Sequence, residues 1–538
     1  MSQTAPFGGS QLGKELEELL QYLGEHPEEV LRGEQPLGDD YFLNHLSQRV
    51  GVAYEKIRYA VDNKEEHFLR RHAIRRIVKR LTIFNAEPER VVSILTRDLN
   101  RSGYLREKVL SDERRLALLL VIRAFLALSE GVRSLHDPAL FLKERRYLLD
   151  LVSGAIEDAL YENMKEECVV IMTAKIADRN LDAPEYGHLS FEARRKLIYI
   201  AAWRSVFAAD TSLIFYKLWM LERSRWTEYS EAELFQLGKQ FPKDARRLKR
   251  MIDHSLGHRL VPKLHDLTIA ATLMYDALRE YGPGLDAILK DRKFFAEKVG
   301  EYHRARSRGD FLRAGKRAWQ AILYIFLTKS VLAAAVEFSY VVLFKEAINW
   351  IAVLLNLAIH PALLFLLTTG LRDSGKKNRE KVVGLVCDIA YGESGGQITL
   401  KNPIRGFLGD IALAFYTLLF VAVAAGIVSA LHALQLHSVD IFFFIFFLVL
   451  VLYFGFRIRY GARKMVLSEE SEGILWSLFE LFILPFVSFG RWVSLKFDGI
   501  NVVVFFLDLV IEAPLRLTLE FLDSFSLVLK EKKDEIYS

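Results

Sequence analysis

Residues 411–431 read IALAFYTLLFVAVAAGIVSAL and contain no charged side chain. A helix needs about 20 consecutive apolar residues to cross the hydrocarbon core of a bilayer. A second apolar stretch, IFFFIFFLVLVLYFGF (441–456), follows after the polar link HALQLHSVD, which contains no Lys or Arg. Together these stretches predict a hairpin of membrane-spanning helices, and this hairpin decides the class of protein to which the chain belongs.

Further apolar stretches extend the membrane region in both directions. We expect an all-α, polytopic membrane protein with about six transmembrane helices within residues 318–514. The predicted spans are 319–344, 347–371, 410–432, 439–456, 474–490 and 499–514. The last two are short and hold Glu480, Asp508 and Glu512. Four spans with two helices lying at the membrane interface are therefore the alternative.

Basic residues beside the apolar stretches predict the orientation, because Lys and Arg concentrate in cytoplasmic loops. The basic clusters lie at 304–317, 372–381, 457–464 and 530–533. Both termini and the loop 372–409 are accordingly expected in the cytoplasm, with the chain in a plasma or inner membrane. Arg491 and Lys496 depart from this rule, since they fall in a link that is predicted to lie outside.

Residues 13–317 have the pattern of a soluble, cytoplasmic helical domain, preceded by a disordered segment at 1–12. Charged and apolar residues recur with helical spacing, and the alternation that is typical of strands is absent. The N-terminus lacks the basic region and apolar core of a secretory signal. Apolar stretches at 116–128 and 197–221 contain charged residues, so we expect buried helices of a soluble bundle there.

Local signals mark where individual helices begin. Ser230 and Glu233 have the spacing of a capping box. Ser111, followed by acidic residues, predicts the start of a helix that ends near Gly131. In the tail 515–538, the segment LRLTLEFLDSFSLVLK has an apolar stripe and predicts an amphipathic helix. That helix either lies on the inner membrane surface or forms a coiled contact with the soluble domain.

Six ionisable residues fall inside the predicted membrane helices. They are Lys329, Glu337, His360, Glu480, Asp508 and Glu512. Each costs on the order of 2–4 kcal/mol at the bilayer centre, so partners or water are expected. Lys329 and Glu337 are eight residues apart and diverge around a helix. Lys329 is therefore expected to pair with Asp508 or Glu512, and Glu337 with His360.

Two prolines suggest internal symmetry of the membrane region. If the six spans divide three and three, the second span of each half contains a proline, Pro361 or Pro485. Interrupted helices at matching places are typical of transporters built from inverted repeats. Proline is also tolerated in membrane helices generally, so structural charge pairs remain the competing interpretation.

A basic amphipathic segment, FLRRHAIRRIVKRL (68–81), offers a surface for anionic lipid headgroups. Its cations are Arg71, Arg75, Arg76, Lys79 and Arg80. Pairing with acids of the same domain is the more common arrangement for such a face. Because no zinc-finger or RNA-binding signature is present, we do not expect nucleic acid as a partner.

No motif in the sequence supports an enzyme. GESGG (392–396) matches GxSxG, but a nucleophile elbow needs a strand before it and a helix after it. The run 382–391 could be a strand, whereas the residues after the motif begin a helix poorly. His254 and His258 lack the glutamate of HExxH, and Cys168 and Cys387 form no metal-binding pair. We therefore expect neither a catalytic site nor a cofactor or metal.

The sequence thus favours an integral membrane scaffold or assembly protein, with the lipid bilayer and a cytoplasmic protein as partners. In that interpretation residues 13–317 recruit the protein partner, and oligomerisation is left open. A small-ion or solute transporter or channel that uses the buried carboxylates and Lys329 is the alternative. A membrane-bound enzyme without a recognisable site comes third.

Overall fold

The computed structural model is mostly helical, which confirms the all-α prediction. The structure describes residues 16, 21, 66–81, 87–102, 104–105, 110–161, 164–182, 187, 189–344, 350–369, 375–392, 398–399, 407–434, 436, 438–467 and 481–492. Two strands of two residues each, β1 (Leu181–Asp182) and β2 (Ile398–Thr399), form a short parallel pair.

The described helices fall into two groups along the chain. Those of the first part are α1 (Glu66–Leu81), α2 (Pro88–Arg101), α3 (Asp112–Arg133), α4 (Pro138–Leu160), α5 (Met164–Asn180), α6 (Phe191–Val206), α7 (Thr211–Glu222), α8 (Glu231–Ile252) and α9 (Ser255–Leu260). Those of the second part are α10 (His265–Tyr281), α11 (Leu285–Leu289), α12 (Arg292–Phe344), α13 (Trp350–Thr369), α14 (Lys376–Ala390), α15 (Phe407–Ala433), α16 (Ser438–Ala462) and α17 (Leu481–Trp492).

The chain divides into two compact units. One comprises 21–179, 186–264 and 501–538, and we call it the N-terminal unit; the other comprises 1–20, 180–185 and 265–500, and we call it the C-terminal unit. The predicted domain boundary at 317 falls inside α12, a continuous helix of 53 residues. At 1.5 Å per residue this helix is about 80 Å long. Residues 265–317 thus belong with the apolar helices that follow them.

In the N-terminal unit, α3 and α8 cross at two glycines. A Cβ atom placed on Gly131 would lie 2.8 Å from the Cα atom of Gly238, and the converse distance is the same. Only glycine allows two backbones to approach this closely. The predicted N-caps are confirmed on both helices: Ser111 accepts a hydrogen bond from the Arg114 N–H, and Ser230 and Glu233 form the capping box.

The two apolar stretches that the sequence assigns to buried helices, 116–128 and 197–221, are helices of this bundle, as predicted. Residues 116–128 lie within α3, whose apolar face is buried. The stretch 197–221 is divided between α6 and α7, and Asp210 caps the second helix by accepting from the Leu213 N–H. Ala208, in the break, has a φ of 50°. A single membrane-spanning helix over this stretch is thereby excluded.

In the C-terminal unit, α12, α13 and α16 pack against one another. One buried cluster joins the three helices and consists of Ala314, Ala318, Leu364, Val451, Ile458 and Ala462. A second cluster joins α13, α15, α16 and α17 through residues that include Leu367, Leu431, Phe444 and Phe486. Apolar contacts therefore hold the second half of the chain together.

Two of the described helices are long and apolar enough to cross a membrane, by length and composition. They cover Ala414–Ala433 in α15 and Ile441–Ala462 in α16, and 6% and 39% of the most apolar 18-residue stretch of each is buried inside the protein. A core helix of a soluble protein would be mostly buried, so the exposure of α15 favours a lipid environment. Ala358–Thr368 and Leu481–Trp492 are apolar but shorter.

The six-span prediction is not confirmed beyond these two helices. Predicted spans 319–344 and 347–371 coincide with the end of α12 and with α13, and part of 474–490 coincides with α17. The predicted span 499–514, the tail 515–538 and the segment 1–12 lie outside the described residues.

Candidate functional site

The carbonyl oxygen of Met465 accepts two hydrogen bonds from side chains distant in sequence. It lies 3.0 Å from His303 Nε2 and 2.9 Å from Asn378 Nδ2. Next to it, the carbonyl oxygen of Val466 lies 2.9 Å from His265 Nε2. We call this set the polar clasp: His265, His303 and Asn378 holding Met465–Leu467.

The clasp satisfies backbone groups of the segment that follows α16. Met465–Leu467 lie beyond the last helical residue, Ala462, so the side chains of the clasp supply partners that no helical hydrogen bond provides. Asn378 Oδ1 also accepts a hydrogen bond from the Leu467 N–H at 3.1 Å. The side-chain amide of Asn378 therefore both donates to this segment and accepts from it. His303 and Asn378 are buried, whereas His265 is partly exposed.

The carbonyl oxygens of Met465 and Val466 determine the tautomers of the two histidines that bind them. A carbonyl oxygen can only accept, so His265 and His303 carry their proton on Nε2. The 3.4 Å distance between Asn378 Nδ2 and His303 Nε2 is then the separation of two donors that share Met465 as acceptor. The three side chains come from α10, α12 and α14, so the end of the apolar helix α16 is fixed to three helices at once. The clasp is built to position this helix end.

In the N-terminal unit, a buried lysine lies between two carboxylates. Lys217 Nζ lies 3.3 Å from Asp158 and 2.9 Å from Glu167, and Tyr199 donates a hydrogen bond to Glu167. The ring of Trp203 lies 5.3 Å from the ammonium group. Burial alone would lower the pKa of Lys217, but the two carboxylates raise it above its ordinary value. A lysine held in its charged form in this way is a poor nucleophile or base.

The basic face of α1 is occupied by ion pairs within the N-terminal unit. Arg71 contacts Glu157 at 3.1 Å and Asp210 at 3.4 Å. Arg75 contacts Asp150 at 3.2 Å, and Arg80 contacts Asp98 at 2.5 Å.

Arg76 is half-buried, and Lys79 is exposed. At least three of the five predicted headgroup ligands, Arg71, Arg75 and Arg80, thus have carboxylate partners inside the unit. Lipid binding by this face stays a prediction, and the structure favours the alternative of an internally paired face.

One predicted intramembrane group, His360, has its contacts resolved. It is buried in α13, and its Nε2 lies 2.9 Å from the carbonyl oxygen of Phe444 in α16. Its ring packs edge-to-face on Phe444, with 4.6 Å between centroids. This hydrogen bond joins two apolar helices, which is a structural role for a polar group in an apolar environment. The next residue, Pro361, lies inside α13.

The other intramembrane candidates have no described side-chain contacts. Lys329 and Glu337 belong to α12, but the structure describes only the helix there and not these side chains. Glu480, Asp508 and Glu512 lie outside the described residues. Pro485 lies within α17. The proposed pairs and the inverted repeat therefore stay predictions.

The residues considered for catalysis have structural partners. Gly392, which begins the GESGG motif, follows α14, so the run 382–391 is largely helix and the possible strand there was wrong. His254 caps α9 by accepting a hydrogen bond from the Leu256 N–H. The pKa of His258 is lowered, first by its partial burial and second by the positive charge of Arg204. Burial raises the pKa of Cys168 to about 11, which keeps its thiol protonated and unreactive.

Sequence reasoning missed the polar clasp. His265, His303 and Asn378 belong to no recognisable motif of the sequence. The clasp residues lie up to 201 positions from the carbonyls that they bind. Local spacing contains no signal of such a contact.

Comparisons of the chain with protein-family models, with curated proteins and with solved structures gave no match.

Proposed function

We propose that this chain is an integral membrane scaffold or assembly protein without catalytic activity of its own. Its apolar helices anchor it in a plasma or inner membrane as a multi-pass protein with both termini in the cytoplasm. Its helical N-terminal portion recruits a cytoplasmic protein partner. The observation that carries the proposal is the polar clasp, because it fixes the end of an apolar helix to helices that are rich in charge.

The clasp favours anchoring over transport. A transporter that alternates between two open states moves some of its membrane helices against others. Here α16 is tied at its end by His303 and Asn378 and along its length by the hydrogen bond from His360. These contacts give the rigid connection that a membrane-held platform needs.

The N-terminal unit supports a binding role for a different reason. Its clustered charged groups form ion pairs with one another, for example Lys217 with Glu167 and Arg71 with Glu157. Its surface, in contrast, exposes apolar side chains such as Leu116 and Leu120, one turn apart on α3. Exposed apolar pairs on a helix face are suited to contact with another protein.

Affinity purification of the full-length chain after cross-linking in its native membrane tests this proposal. A scaffold should bring down one protein at a constant ratio, and Leu116→Ser with Leu120→Ser should reduce that ratio. The single substitution Phe191→Ser, at another exposed apolar position, serves as the matched control.

A flux measurement in liposomes gives the opposing outcome. The purified chain should move neither protons nor cations, and Glu337→Gln and Asp508→Asn should leave that result unchanged. A flux that depends on either carboxylate would contradict the scaffold proposal in favour of transport.

A further inference from the structure

Two helices of the C-terminal unit, α12 and α16, reach the same level where their apolar stretches end, and a third helix lies close to this level. Ala314 and Ala318 of α12 share one buried cluster with Ile458 and Ala462 of α16. The polar clasp sets the same register, because His303 of α12 binds the segment directly after α16. The stretches 311–320 and 451–467 therefore lie side by side and run in opposite directions.

The third helix, α17, approaches α16 one to two turns before this level. A Cβ atom on Gly490 would lie 2.8 Å from both the Val449 carbonyl oxygen and the Tyr453 Cβ atom. Arg491 and Trp492, which follow Gly490, are consequently placed beside the middle of α16, about 6–12 Å from the level of Arg457 along the helix axis. The three helices bring together parts of the chain that are far apart in sequence.

All charged residues at and near this level are basic. The stretches 311–320, 451–467 and 481–492 contain no Asp or Glu. Their basic residues are Arg313, Lys316, Arg317, Arg457, Arg459, Arg463, Lys464 and Arg491. Arg313 contacts Asp310 at 2.7 Å. Lys316, Arg317, Arg457 and Arg491 are exposed and form no ion pair with any residue that the structure describes.

Aromatic side chains accompany these cations. Trp319, Tyr460 and Trp492 are 67%, 68% and 56% exposed. Phe489 stacks on Trp492 with 5.7 Å between ring centroids. Trp and Tyr concentrate where a bilayer meets water, because their rings are apolar and their N–H or O–H groups are polar. We call Lys316, Arg317, Arg457 and Arg491 with these aromatic residues the basic belt.

We propose that the basic belt binds the headgroups of anionic phospholipids in the leaflet that it faces. Next to the belt, α12 exposes Leu323 and Phe326, and α13 exposes Phe365 and Leu366. An occupant must therefore be anionic at one end and apolar along its length, as an anionic phospholipid is. A nucleic acid or an acidic peptide would match the charges but not the apolar surface beside them.

The belt is a better headgroup surface than the basic face of α1. The belt cations keep their charges free of carboxylate partners among the described residues, whereas Arg71, Arg75 and Arg80 are each ion-paired. An ion pair would have to be broken before such a residue could bind a phosphate. The inference rests on the proposed function in one respect, namely that the apolar helices lie in a bilayer.

Spin-labelled lipids added to the full-length chain in bilayers test the inference. The measured quantity is the association of spin-labelled phosphatidylglycerol relative to phosphatidylcholine. The belt variant combines Lys316→Gln, Arg317→Gln and Arg457→Gln. Its matched control combines Arg90→Gln, Arg115→Gln and Arg225→Gln, which removes the same charge from exposed positions of the N-terminal unit.

The wild type should prefer the anionic lipid, and the belt variant should lose that preference. A Lys or Arg near an anionic surface contributes up to about fivefold in affinity, and salt weakens the effect. The control should behave as the wild type. An equal loss in the control, or no preference in the wild type at low salt, would overturn the inference.

The same spectra separate this inference from the proposed function. Lipid next to a membrane protein gives a motionally restricted component whatever its headgroup. Such a component without anionic preference overturns the belt alone, and the membrane anchor survives. The absence of any restricted component shows that the helices do not enter the bilayer, which overturns both.

Discussion

His303 Nε2 lies 3.0 Å from the carbonyl oxygen of Met465, a residue 162 positions further along the chain. This hydrogen bond connects the long helix α12 with the segment that ends the apolar helix α16. Asn378 of α14 binds the same oxygen at 2.9 Å, so three separate parts of the sequence meet at one atom. Because the contact fixes the register of α12 against α16, the position of the basic belt depends on it.

Asn378→Ala should loosen the polar clasp. The substitution removes one donor to Met465 and leaves the Leu467 N–H without its side-chain acceptor, at a cost of about 1–3 kcal/mol. The Lys464–Met465 bond adjoins the clasp, so trypsin should cut there faster than in the wild type. Lys377→Ala, at the exposed neighbouring position, is the control and should leave the cleavage rate unchanged. Equal rates in both variants would show that the clasp does not hold this segment.

Gly131→Ala should destabilise the N-terminal unit. The added methyl group would clash with the backbone of α8, and forcing extra volume into a packed interface costs about 1–3 kcal/mol. Urea unfolding followed by circular dichroism measures the loss. Gly257→Ala is the matched control, because the nearest atom to its new Cβ lies 3.6 Å away and alanine favours helix. If both variants unfold alike, α3 and α8 do not cross at these glycines.

Glu144→Gln should stabilise the N-terminal unit at neutral pH. Both carboxylate oxygens of Glu144 are buried without a hydrogen-bond partner, and burial raises the pKa above its usual value near 4.5. The folded protein therefore holds this proton more tightly than the unfolded chain does, so the wild type loses stability as the pH rises through this range. Glutamine removes that penalty.

The difference in stability between Glu144→Gln and the wild type should disappear below about pH 4, where the carboxyl group is protonated in both states. Thermal unfolding at pH 4 and pH 7.5 measures it. An advantage of the same size at both values would rule out the titration of Glu144 as its cause.

Lys217→Met should destabilise the N-terminal unit over the whole neutral range. Removing one partner of a buried ion pair costs about 3–5 kcal/mol. We expect a loss near the lower end of this range, because 30% of the Asp158 side chain and 26% of the Glu167 side chain are exposed to water. The raised pKa of Lys217 means that its contribution is fully present below about pH 10.5 and is lost only as the pH rises further.

Chemical unfolding at pH 7 measures the effect of Lys217→Met. Lys243→Met, at an exposed position, is the control and should unfold close to the wild type. If Lys217→Met is as stable as the wild type, the ion pairs of Lys217 with Asp158 and Glu167 do not contribute to the free energy of unfolding.

The sequence predicted those parts of the structure that depend on neighbouring residues. Ser111 and Ser230 mark helix starts because a cap and its N–H donor are three residues apart. The apolar run 411–431 forms a long helix because composition alone decides it.

The parts that depend on distant contacts were not predictable. Arg71 pairs with Glu157, 86 positions away, and nothing in the local pattern distinguishes this from an open basic face. The continuity of α12 through residue 317 was missed for a related reason. A change from charged to apolar composition indicates a change of surroundings, but a helix can continue through it.

Cysteine labelling tests the central claim, that the exposed apolar helix α15 lies in a bilayer. Cys168 and Cys387 are both buried and can be replaced by alanine to remove background reaction. Leu418→Cys then places a thiol on α15 at a position that is 68% exposed, and Lys376→Cys places one at a position that is 81% exposed on α14. Membranes opened by freezing and thawing give a water-soluble maleimide access to both faces.

We expect the thiol at position 376 to react within minutes in intact bilayers, and the thiol at position 418 to react only after the protein is unfolded in SDS. Lipid would exclude both water and reagent from position 418, which the protein itself leaves uncovered. Equal reaction of the two thiols before the bilayer is dissolved would contradict a membrane location for α15.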